Sequence, residues 1–361
     1  MNADIDCIQQ QFTWPLLQWY EVYGRKNLPW QTPREAYRVW ISEIMLQQTQ
    51  VKTVIPFFLR FMDSFPNIET LAQAAEDEVL AHWSGLGYYS RARNLHKTAQ
   101  IICQELQGKF PQTLEELIKL PGIGASTAAA IASLAFNHPT AILDGNVKRV
   151  LSRYFLVEGA AEQAAVKNKL WQLANLCMPS RHCAKYTQAI MDLGATCCTV
   201  KNPDCSHCPL AATCAAYAHD VVADYPTKKV KKIKPVKHQQ FLLLHTKTGL
   251  IYLEKLPPVG IWGGLWSTLG IDTTHCPMDY VRKNYPWELR NVQEITQIKH
   301  SFSHFHLHIS ALAVQVELPN KTILAETSGA WFTAAQLTQI GLPKPVSKII
   351  EQFFLLPESF K

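Results

Sequence analysis

The sequence predicts a mainly α N-terminal catalytic domain followed by a smaller α+β domain. Three observations support this fold class. Apolar residues recur at helical spacing through nearly all of residues 1–226, without alternation of strand period. Residues 227–237 then carry six lysines and no burial pattern, which is typical of a solvated linker. From residue 238 to 361 short apolar runs flank turn residues such as Lys247-Thr248-Gly249, as strands do.

Composition and length set the broad class. A chain of 361 residues is too long for one ordinary domain, and 47% hydrophobic residues are enough to build full cores. The net charge of +6 is mild and permits a polyanionic partner. No apolar run reaches the length of a membrane span, and the acidic N-terminal residues do not resemble a signal peptide. We expect an intracellular monomer of the cytoplasm or nucleoid that binds no membrane.

Within the helical domain we predict a long helix at residues 37–53 and another at 71–83. The segment at about 114–136 reads as helix, Gly turn, helix, with Gly122 and Gly124 in the turn. A Gly-rich turn that opens a helix presents free backbone N–H groups, which suit a phosphate. The sequence therefore predicts a phosphate-binding hairpin here.

Two carboxylates are candidates for acid–base chemistry. Glu43 lies at the edge of the apolar stripe of the helix at 37–53, where burial raises a carboxyl pKa and suits a general acid. Asp144 directly precedes a helix-like segment, and Asn146 is placed to orient it or a water. Two acidic groups in different environments are typical of enzymes that break glycosidic bonds. The alternatives are an exposed surface Glu43 and an Asp144 that is only a helix N-cap.

Seven of the ten cysteines fall between Cys177 and Cys214, which predicts metal binding in a reducing compartment. Four of them form the pattern Cys198-x6-Cys205-x2-Cys208-x5-Cys214, within a loop at 198–214. This spacing suits either zinc or an iron–sulfur cluster, and spacing alone leaves the choice open. The neighbours Cys177, Cys183 and Cys197 are possible substitutes, with at least one expected in the core.

Two further segments combine residue types found in nucleic-acid contacts. Gly85–Arg93 places adjacent tyrosines beside arginines, which stack on bases and meet phosphates; a helix start with core aromatics is the alternative. Gln47, Gln48 and Gln50 lie late in their predicted helix, and exposed helix-end amides are the alternative there. In the second domain we predict a strand at 302–317 that places His304, His306 and His308 on one face.

Together these segments resemble the adenine DNA glycosylase (MutY) family, within the helix-hairpin-helix/endonuclease III superfamily. The matching segments follow one another in order along nearly the whole chain. They are Leu28–Trp30, Ser42–Gln50, Gly85–Arg93, Leu120–Gly124 and Leu143–Val147. The cysteines Cys198, Cys205, Cys208 and Cys214 look like the family's [4Fe–4S] loop, and Phe302-Ser303-His304 looks like its lesion-recognition loop.

The resemblance implies excision of adenine mispaired with 8-oxoguanine, and also with G, in double-stranded DNA. It implies that Glu43 protonates N7 of the extruded adenine and that Asp144 stabilises the sugar cation or bonds transiently to C1′. The substrate- and DNA-binding residues that it implies are then Trp30, Leu46, Gln48, Thr49, Leu86, Tyr88, Gly122, Gly124, Ser126, Gln188, Phe302, Ser303 and His304. Of these, Trp30 and Leu46 would line the adenine pocket, and Ser303 with His304 would sense the oxidised base.

One departure from the superfamily is informative. Lyase-competent relatives carry a Lys shortly after the hairpin, whereas this chain has Ser126, whose hydroxyl cannot form a Schiff base. We predict base removal without strong strand cleavage. The second domain resembles a Nudix fold but lacks, between Gly260 and Asn284, the acidic helix that binds Mg²⁺, so we predict recognition without hydrolysis. The alternatives are an endonuclease III-like pyrimidine glycosylase/lyase and a non-catalytic DNA scaffold.

Overall fold

A computed structural model describes residues 6–227, 233–318 and 329–357. Five residues of the predicted linker, 228–232, lie outside these ranges. Packing divides the chain into two units. The first comprises Met1–Gln73 with Lys97–Lys231, and the second comprises Ala74–His96 with Lys232–Lys361.

This division differs from the predicted domains in one segment. Residues 74–96 were expected in the helical domain, but they pack within the second unit. The hydroxyl of Ser84 donates to the carbonyl of Leu342 at 3.0 Å, and Lys255 pairs with Asp77 at 2.7 Å. Such contacts join residues more than 150 positions apart, so no local pattern in the sequence reveals them.

Regular structure up to residue 227 is helical throughout the described residues. A π-helical turn at Gln9–Thr13 comes first. The α-helices are α1 (Trp14–Tyr23), α2 (Ala36–Leu46), α3 (Val51–Ser64), α4 (Ile68–Gln73), α5 (Glu76–Trp83), α6 (Ser90–Glu105), α7 (Leu114–Ile118), α8 (Ala125–Phe136), α9 (Gly145–Tyr154), α10 (Ala164–Cys177), α11 (Cys183–Thr196) and α12 (Ala215–Ala218). None of the helices in the described ranges is long and apolar enough to cross a membrane.

Two predicted helices are interrupted. The helix expected at 37–53 ends at Leu46 and a new one begins at Val51. Gln48 between them has a φ of 57°, a left-handed backbone that an α-helix cannot continue through. The helix expected at 71–83 is likewise split into α4 and α5. Apolar spacing continues across both breaks, which is why periodicity alone missed them.

The predicted helix-hairpin-helix is confirmed. Its first helix is α7, capped by the Thr113 hydroxyl, which accepts from the N–H of Glu116 at 3.3 Å. Its second is α8, for which Gly124 is the N-cap residue. Gly122 has a φ of 76°, which only glycine adopts without strain, so the turn depends on it.

Helix α11 is central to the first unit and packs against α1, α8 and α9. Buried Ser133 and Thr187 hydroxyls join α8 to α11 at 2.7 Å. Gly194 of α11 permits the closest approach, because a Cβ there would lie 2.6 Å from the Cβ of Asn146 in α9. This glycine therefore sets how near the start of α9 lies to α11.

The second unit is built on a seven-stranded mixed sheet. Its main order is β3-β2-β1-β6-β5, with β4 paired to β1 and β7 paired to β2. The elements are β1 (Val236–His245), β2 (Ile251–Lys255), β3 (Trp266–Ser267), β4 (Leu269–Asp272), α13 (Pro277–Asn284), β5 (Glu288–Ser301), β6 (His306–Glu317), β7 (Gly329–Phe332) and α14 (Lys344–Phe354). This arrangement confirms the α+β class.

The second half of β1, from Phe241 to His245, is buried on both faces, which accounts for its continuous apolar run. Phe241 and Leu243 belong to the core on the α14 side, whereas Leu242 and Leu244 belong to the core on the α13 side. β1 runs parallel to β6, with His238 opposite His308, and antiparallel to β2 and β4.

Two differences from the predicted elements affect this unit. The 14-residue β5 was not predicted, because two register shifts break the alternation that would reveal it. The strand predicted at 302–317 begins only at His306, since residues 302–305 form a tight turn in which Phe302 N–H donates to Phe305 O at 2.9 Å. His304 therefore does not share a strand face with His306 and His308.

Candidate active site

A cleft of about 830 Å³ lies in the first unit. The walls come from α2, the loop after it, the start of α8, the start of α9 and one face of α11. Many of the site residues predicted from sequence line this one cleft. They are Trp30, Glu43, Leu46, Gln48, Thr49, Ser126, Asp144, Asn146 and Gln188. The two carboxylates thus share a cleft although they are 101 positions apart.

Glu43 is half-buried on α2, which places it on the cleft wall beside the helix's apolar face. Burial, and secondly the negative charge of Asp144, raise the pKa of Glu43 to about 8. A carboxyl group with this pKa keeps its proton at neutral pH. Glu43 is therefore suited to donate a proton to a leaving group.

The raised pKa also links Glu43 to stability. The folded protein holds a proton that the unfolded chain releases between the ordinary value of 4.5 and about 8, so stability falls as pH rises through that window. We expect Glu43→Gln to raise the free energy of unfolding by about 2 kcal/mol at pH 8, with no gain near pH 4.5. Urea unfolding at the two pH values measures this difference. An equal effect at both would refute the linkage.

Asp144 is the N-cap residue of α9, and its carboxylate is held by two groups. The Val147 N–H donates to it at 2.7 Å and the Asn146 side-chain amide at 3.1 Å. Burial raises the pKa of Asp144, while these hydrogen bonds oppose the shift by stabilising the ionised form. The structure confirms that Asp144 is a helix N-cap, and the residue also lines the cleft.

Arg149 is a site residue that sequence reasoning missed. Its guanidinium donates to the Asn146 side-chain oxygen at 2.9 Å, to Gly194 O at 2.5 Å and to Cys198 O at 2.7 Å. It therefore fixes Asn146, which in turn donates to Asp144. The spacing of three positions between Asn146 and Arg149 was a signal available in the sequence, because such residues are neighbours on a helix.

A second missed group lies at the α11 wall. Asp192 accepts hydrogen bonds from the Arg25 guanidinium at 2.6 and 2.9 Å and from the Gln188 amide at 2.9 Å. Arg25 itself lines the cleft. Both guanidinium bonds go to Asp192 Oδ1, which also accepts from Gln188, while the Arg25 backbone N–H donates to Oδ2 at 2.7 Å. Asp192 therefore holds the side chains of Arg25 and Gln188 together. No local sequence pattern joins Arg25 to Asp192, which are 167 positions apart.

Ser126, predicted as a DNA contact, has a structural hydrogen bond. Its hydroxyl accepts from the N–H of Leu143 at 3.1 Å, which ties the start of α8 to the residue before Asp144. The side chain also lines the cleft. Trp30 is buried, with its ring edge-on to Phe58 at 5.4 Å, so only its edge reaches the cleft.

The loop after α2 presents Gln48 to solvent. Its left-handed backbone, with a φ of 57°, is uncommon for a glutamine and turns the side chain outward. Thr49 follows and donates its N–H to Leu46 O at 3.2 Å. Gly122 and Gly124 lie at the hairpin turn, both exposed and outside the cleft lining.

The remaining predicted contacts lie together in the second unit. Leu86, Tyr88, Phe302, Ser303 and His304 line one cleft of about 420 Å³. Tyr88 has a left-handed backbone with a φ of 50°, and its side chain is half exposed to solvent. Leu86 is buried. The Ser303 hydroxyl and His304 Nδ1 are 3.2 Å apart on the exposed turn.

The four predicted metal ligands lie around one largely apolar cavity in the first unit. Its walls include Cys198, Cys205, Cys208 and Cys214, together with Leu193 and Leu210. Within the described ranges, no three His, Cys, Asp or Glu groups converge closely enough for a single ion. Four cysteine thiols are the donor set that holds an iron–sulfur cluster, so the residues around the cavity fit such a group. Burial raises the pKa of the Cys198 thiol, and Arg153 opposes this shift by donating to Cys198 Sγ at 3.3 Å.

The three alternative ligands, Cys177, Cys183 and Cys197, differ in their surroundings. Cys197 lines the same cavity, but its thiol donates to Asp204 O at 3.2 Å. Cys183 donates to Pro179 O at 3.3 Å in the core, and burial raises the pKa of Cys177 to about 12. Cys177 and Cys183 are therefore core residues.

The helix α13 of the Nudix-like unit contains few carboxylate side chains. Helix α13 has the sequence PMDYVRKN, in which Asp279 is the single carboxylate. Binding of Mg²⁺ by such a helix needs several oxygen ligands. Recognition without hydrolysis stays a prediction for this unit.

Comparison with known proteins agrees with this architecture. Residues 41–176 match the HhH-GPD superfamily of base excision DNA repair proteins, and residues 240–352 match the NUDIX domain. A solved thermostable thymine-DNA glycosylase is 26% identical, with a TM-score of 0.54, and the match covers 59% of this chain and 98% of that one.

Two sequence relatives extend the match across both units. An adenine DNA glycosylase of Buchnera aphidicola subsp. Schizaphis graminum is 43% identical over 342 residues, covering 95% of this chain and 98% of its own. Another, from Buchnera aphidicola subsp. Baizongia pistaciae, is 42% identical over 93% of this chain and 94% of its own. Identity at this level over nearly the whole of each chain shows that the protein belongs to the adenine DNA glycosylase family.

Proposed function

We propose that this enzyme excises adenine mispaired with 8-oxoguanine, and with G, from double-stranded DNA. The observation that carries the proposal is the pairing of Glu43, whose raised pKa keeps it protonated, with the hydrogen-bonded Asp144 in one cleft. One acid and one anion are the two groups needed to hydrolyse an N-glycosidic bond by proton transfer to the leaving group.

Glu43 supplies the proton. The adenine must first leave the base stack, because its reacting atoms are inaccessible within a duplex. Once it lies in the cleft, with Trp30 and Leu46 as walls, Glu43 protonates N7. The purine then departs as a neutral base, and the C1′–N9 electron pair goes with it. Protonation matters because it removes negative charge from the leaving group.

Asp144 stabilises the sugar. As the bond breaks, positive charge develops at C1′, and a carboxylate close by lowers the energy of that charge. Asn146, itself fixed by Arg149, donates to one oxygen of Asp144 and the Val147 N–H donates to the other, so the carboxylate is held in place on the cleft wall. The carboxylate acts either through its charge or by a transient bond to C1′. Water then adds to C1′, which breaks the transient bond where one has formed, and the proton that water releases restores the acid form of Glu43.

DNA recognition uses exposed residues in both units. Gln48 and Tyr88 are solvent-exposed residues with left-handed backbones, suited to enter the space that the extruded base leaves. The N–H groups of the hairpin at Gly122 and Gly124 bind a phosphate. Ser303 and His304 provide the donors that distinguish 8-oxoguanine from G.

Excision from matched duplexes tests this function. We expect fast release of adenine opposite 8-oxoguanine, slower release opposite G, and none of an oxidised pyrimidine. Borohydride should trap little enzyme at the product abasic site, because Ser126 offers no amine and its hydroxyl is bound by Leu143. Release of oxidised pyrimidine with efficient trapping would instead establish the endonuclease III-like lyase. Tight binding without any excision would establish the non-catalytic scaffold.

A [4Fe–4S] cluster fits the four-cysteine cavity and is proposed as the cofactor, held by Cys198, Cys205, Cys208 and Cys214. When bound, it supplies a rigid cross-link and a redox-active centre. This chain's own contribution is structural: Arg153 stabilises the Cys198 thiolate, and Arg149 joins Cys198 O to Asn146 beside Asp144.

Iron content checks the cofactor. We expect the purified protein to hold about four irons per chain, with the visible thiolate-to-iron absorption. Cys205→Ser should lower the iron content, because it removes a ligand. Cys183→Ser is the matched control, since a serine keeps the hydrogen bond to Pro179 O. Loss of iron in both variants, or zinc in place of iron, would contradict the assignment.

A further inference from the structure

Two histidines and a lysine form a basic row across three strands of the second unit, and the proposed excision chemistry does not use them. His308 of β6 lies opposite His238 of β1 and opposite Lys299 of β5. The centroids of the two imidazole rings are 5.1 Å apart. Residues paired across adjacent strands point to the same face of a sheet, so these three side chains lie side by side.

The basic row lines a cleft of about 320 Å³ on this face of the sheet. Thr273 and Ser310 add a hydroxyl group each to the lining. Gln297 also lines the cleft, but its amide donates to Glu294 at 2.9 Å. None of the described residues in the lining is an Asp or a Glu. The cleft therefore offers one ammonium, two imidazoles and two hydroxyls, all of which can donate hydrogen bonds.

The charges around His308 are all positive. Burial, and then the positive charges of His238, Lys299 and His306, lower the pKa of His308. No described carboxylate offsets this shift. A bound anion opposes it, because a nearby negative charge favours the protonated imidazole. We therefore expect the cleft to take up a proton when it binds an anion.

A metal ion is the other ligand that two histidines could hold. In the basic row it would find two imidazoles and, beside them, the ammonium of Lys299, which repels a cation. Across the described parts of the chain, no three His, Cys, Asp or Glu groups lie close enough together for one ion. The donors of the cleft instead suit an oxyanion such as a phosphate group.

The cleft is continuous with the turn at residues 302–305. His306 begins β6 directly after this turn, and its Nδ1 lies 2.8 Å from the hydroxyl of Ser301 on β5. His308 follows two residues later, about 7 Å along the strand. A DNA strand carries a phosphate for about every 3.4 Å of helix axis, so a strand that reaches the turn has phosphates at this distance.

We propose that this cleft binds a phosphate of the DNA backbone, with Lys299, His238 and His308 as its ligands. A phosphate on DNA is favoured over a free one because the neighbouring turn gives the same strand a second contact. The inference rests on the proposed binding of double-stranded DNA and not on which base is excised.

The first test measures equilibrium binding of the full-length enzyme to an undamaged duplex over a range of salt concentrations. Loss of one phosphate contact lowers the slope of log K against log salt by about 0.9, which is about an eightfold loss of affinity at about 0.1 M relative to about 1 M salt. We expect this loss in Lys299→Gln but not in Lys299→Arg, which keeps the charge. Lys348→Gln is the control, because Lys348 is exposed on α14 and lies outside the cleft lining.

The second test measures the pH dependence of the same binding. Wild-type affinity should rise at least about threefold as pH falls from about 7.5 to about 5.5, because phosphate favours the protonated imidazoles. His308→Gln should remove most of this rise. His275→Gln, an exposed histidine outside the cleft lining, should keep it.

The inference is overturned by an unchanged salt slope in Lys299→Gln, by the same loss in Lys348→Gln, or by an undiminished pH dependence in His308→Gln. Ring NMR signals of His238 and His308 distinguish the sources of phosphate, and a duplex should shift both. A shift with inorganic phosphate but none with duplex would assign the cleft to a free phosphate. Broadening of both signals by stoichiometric Ni²⁺, with no response to duplex, would identify a cation site.

The proposed function is tested separately. Single-turnover excision at saturating enzyme should stay at the wild-type rate in Lys299→Gln and His308→Gln, because neither residue lies in the cleft of Glu43 and Asp144. A wild-type enzyme that binds the duplex but excises no adenine would refute the proposed function and leave the phosphate site standing. The two failures are thus distinguishable.

Discussion

Glu43→Gln is expected to slow adenine excision about a thousandfold, because glutamine is nearly isosteric but has no proton to donate at N7. Binding of an A·8-oxoG duplex should stay within about threefold, since no charge needed for DNA contact is removed. In the wild-type enzyme the rate should fall as pH rises through the Glu43 pKa of about 8, because the proton is lost there. Single-turnover kinetics between pH 6 and pH 9, on duplexes of either mispair, measure both effects.

The control for Glu43→Gln is Asp63→Asn, which neutralises an exposed carboxylate on α3. It should leave the rate and its pH dependence unchanged. The same Glu43→Gln substitution should stabilise the fold at high pH, so lost activity cannot be ascribed to unfolding. A variant with near wild-type excision, or an undiminished wild-type rate at pH 9, would exclude Glu43 as the acid.

The placement of Glu43 and Asp144 was predictable because the signals for it are local. Glu43 adjoins an apolar helical stripe, and Asp144 directly precedes a helix, so the environment of each follows from a few neighbours. The backbone break at Gln48 was not predictable. Glutamine has no special preference for a left-handed φ, and the apolar period that suggested one helix continues past it.

The residues that hold Glu43 and Asp144 in one cleft make contacts between positions distant in sequence. In the sequence, Arg149 is one of several basic residues of a predicted helix. Its contacts are seen only in the fold, where Gly194 lets α11 approach Asn146 and accepts a hydrogen bond from Arg149. The ion pair of Arg25 with Asp192 joins residues 167 positions apart. Such pairings are set by tertiary packing, so one sequence without its fold gives no local cue to them.

The second unit shows the same limit. Its fold class followed from the change of hydrophobic period after the linker, and β1 and β2 were recognised by their apolar runs. Strand β5 was not, because its two bulges disturb the alternation. The partners of Arg93 were also hidden: a basic residue beside tyrosines suggests a phosphate contact, whereas its guanidinium donates to the backbone carbonyls of Gly263 and Pro258.

Asp144→Asn is expected to slow excision about a thousandfold while leaving the fold intact. Asparagine caps a helix as well as aspartate does, so the hydrogen bond from the Val147 N–H survives. What disappears is the negative charge next to C1′, and preorganised charge of this kind is among the largest contributions to such reactions. Single-turnover excision and urea unfolding, made on the same preparation, separate the two properties.

Asp144→Ala completes the argument, because it removes the cap as well as the charge. It should be less stable than Asp144→Asn by about 1 kcal/mol but no slower in catalysis. If Asp144 only capped α9, asparagine would restore excision and alanine would not. If its charge acts on the sugar, the two variants are equally slow and differ only in unfolding. Recovery of excision in Asp144→Asn would therefore show that Asp144 acts only as a helix cap. The proposed chemistry would then lack the anion that it requires.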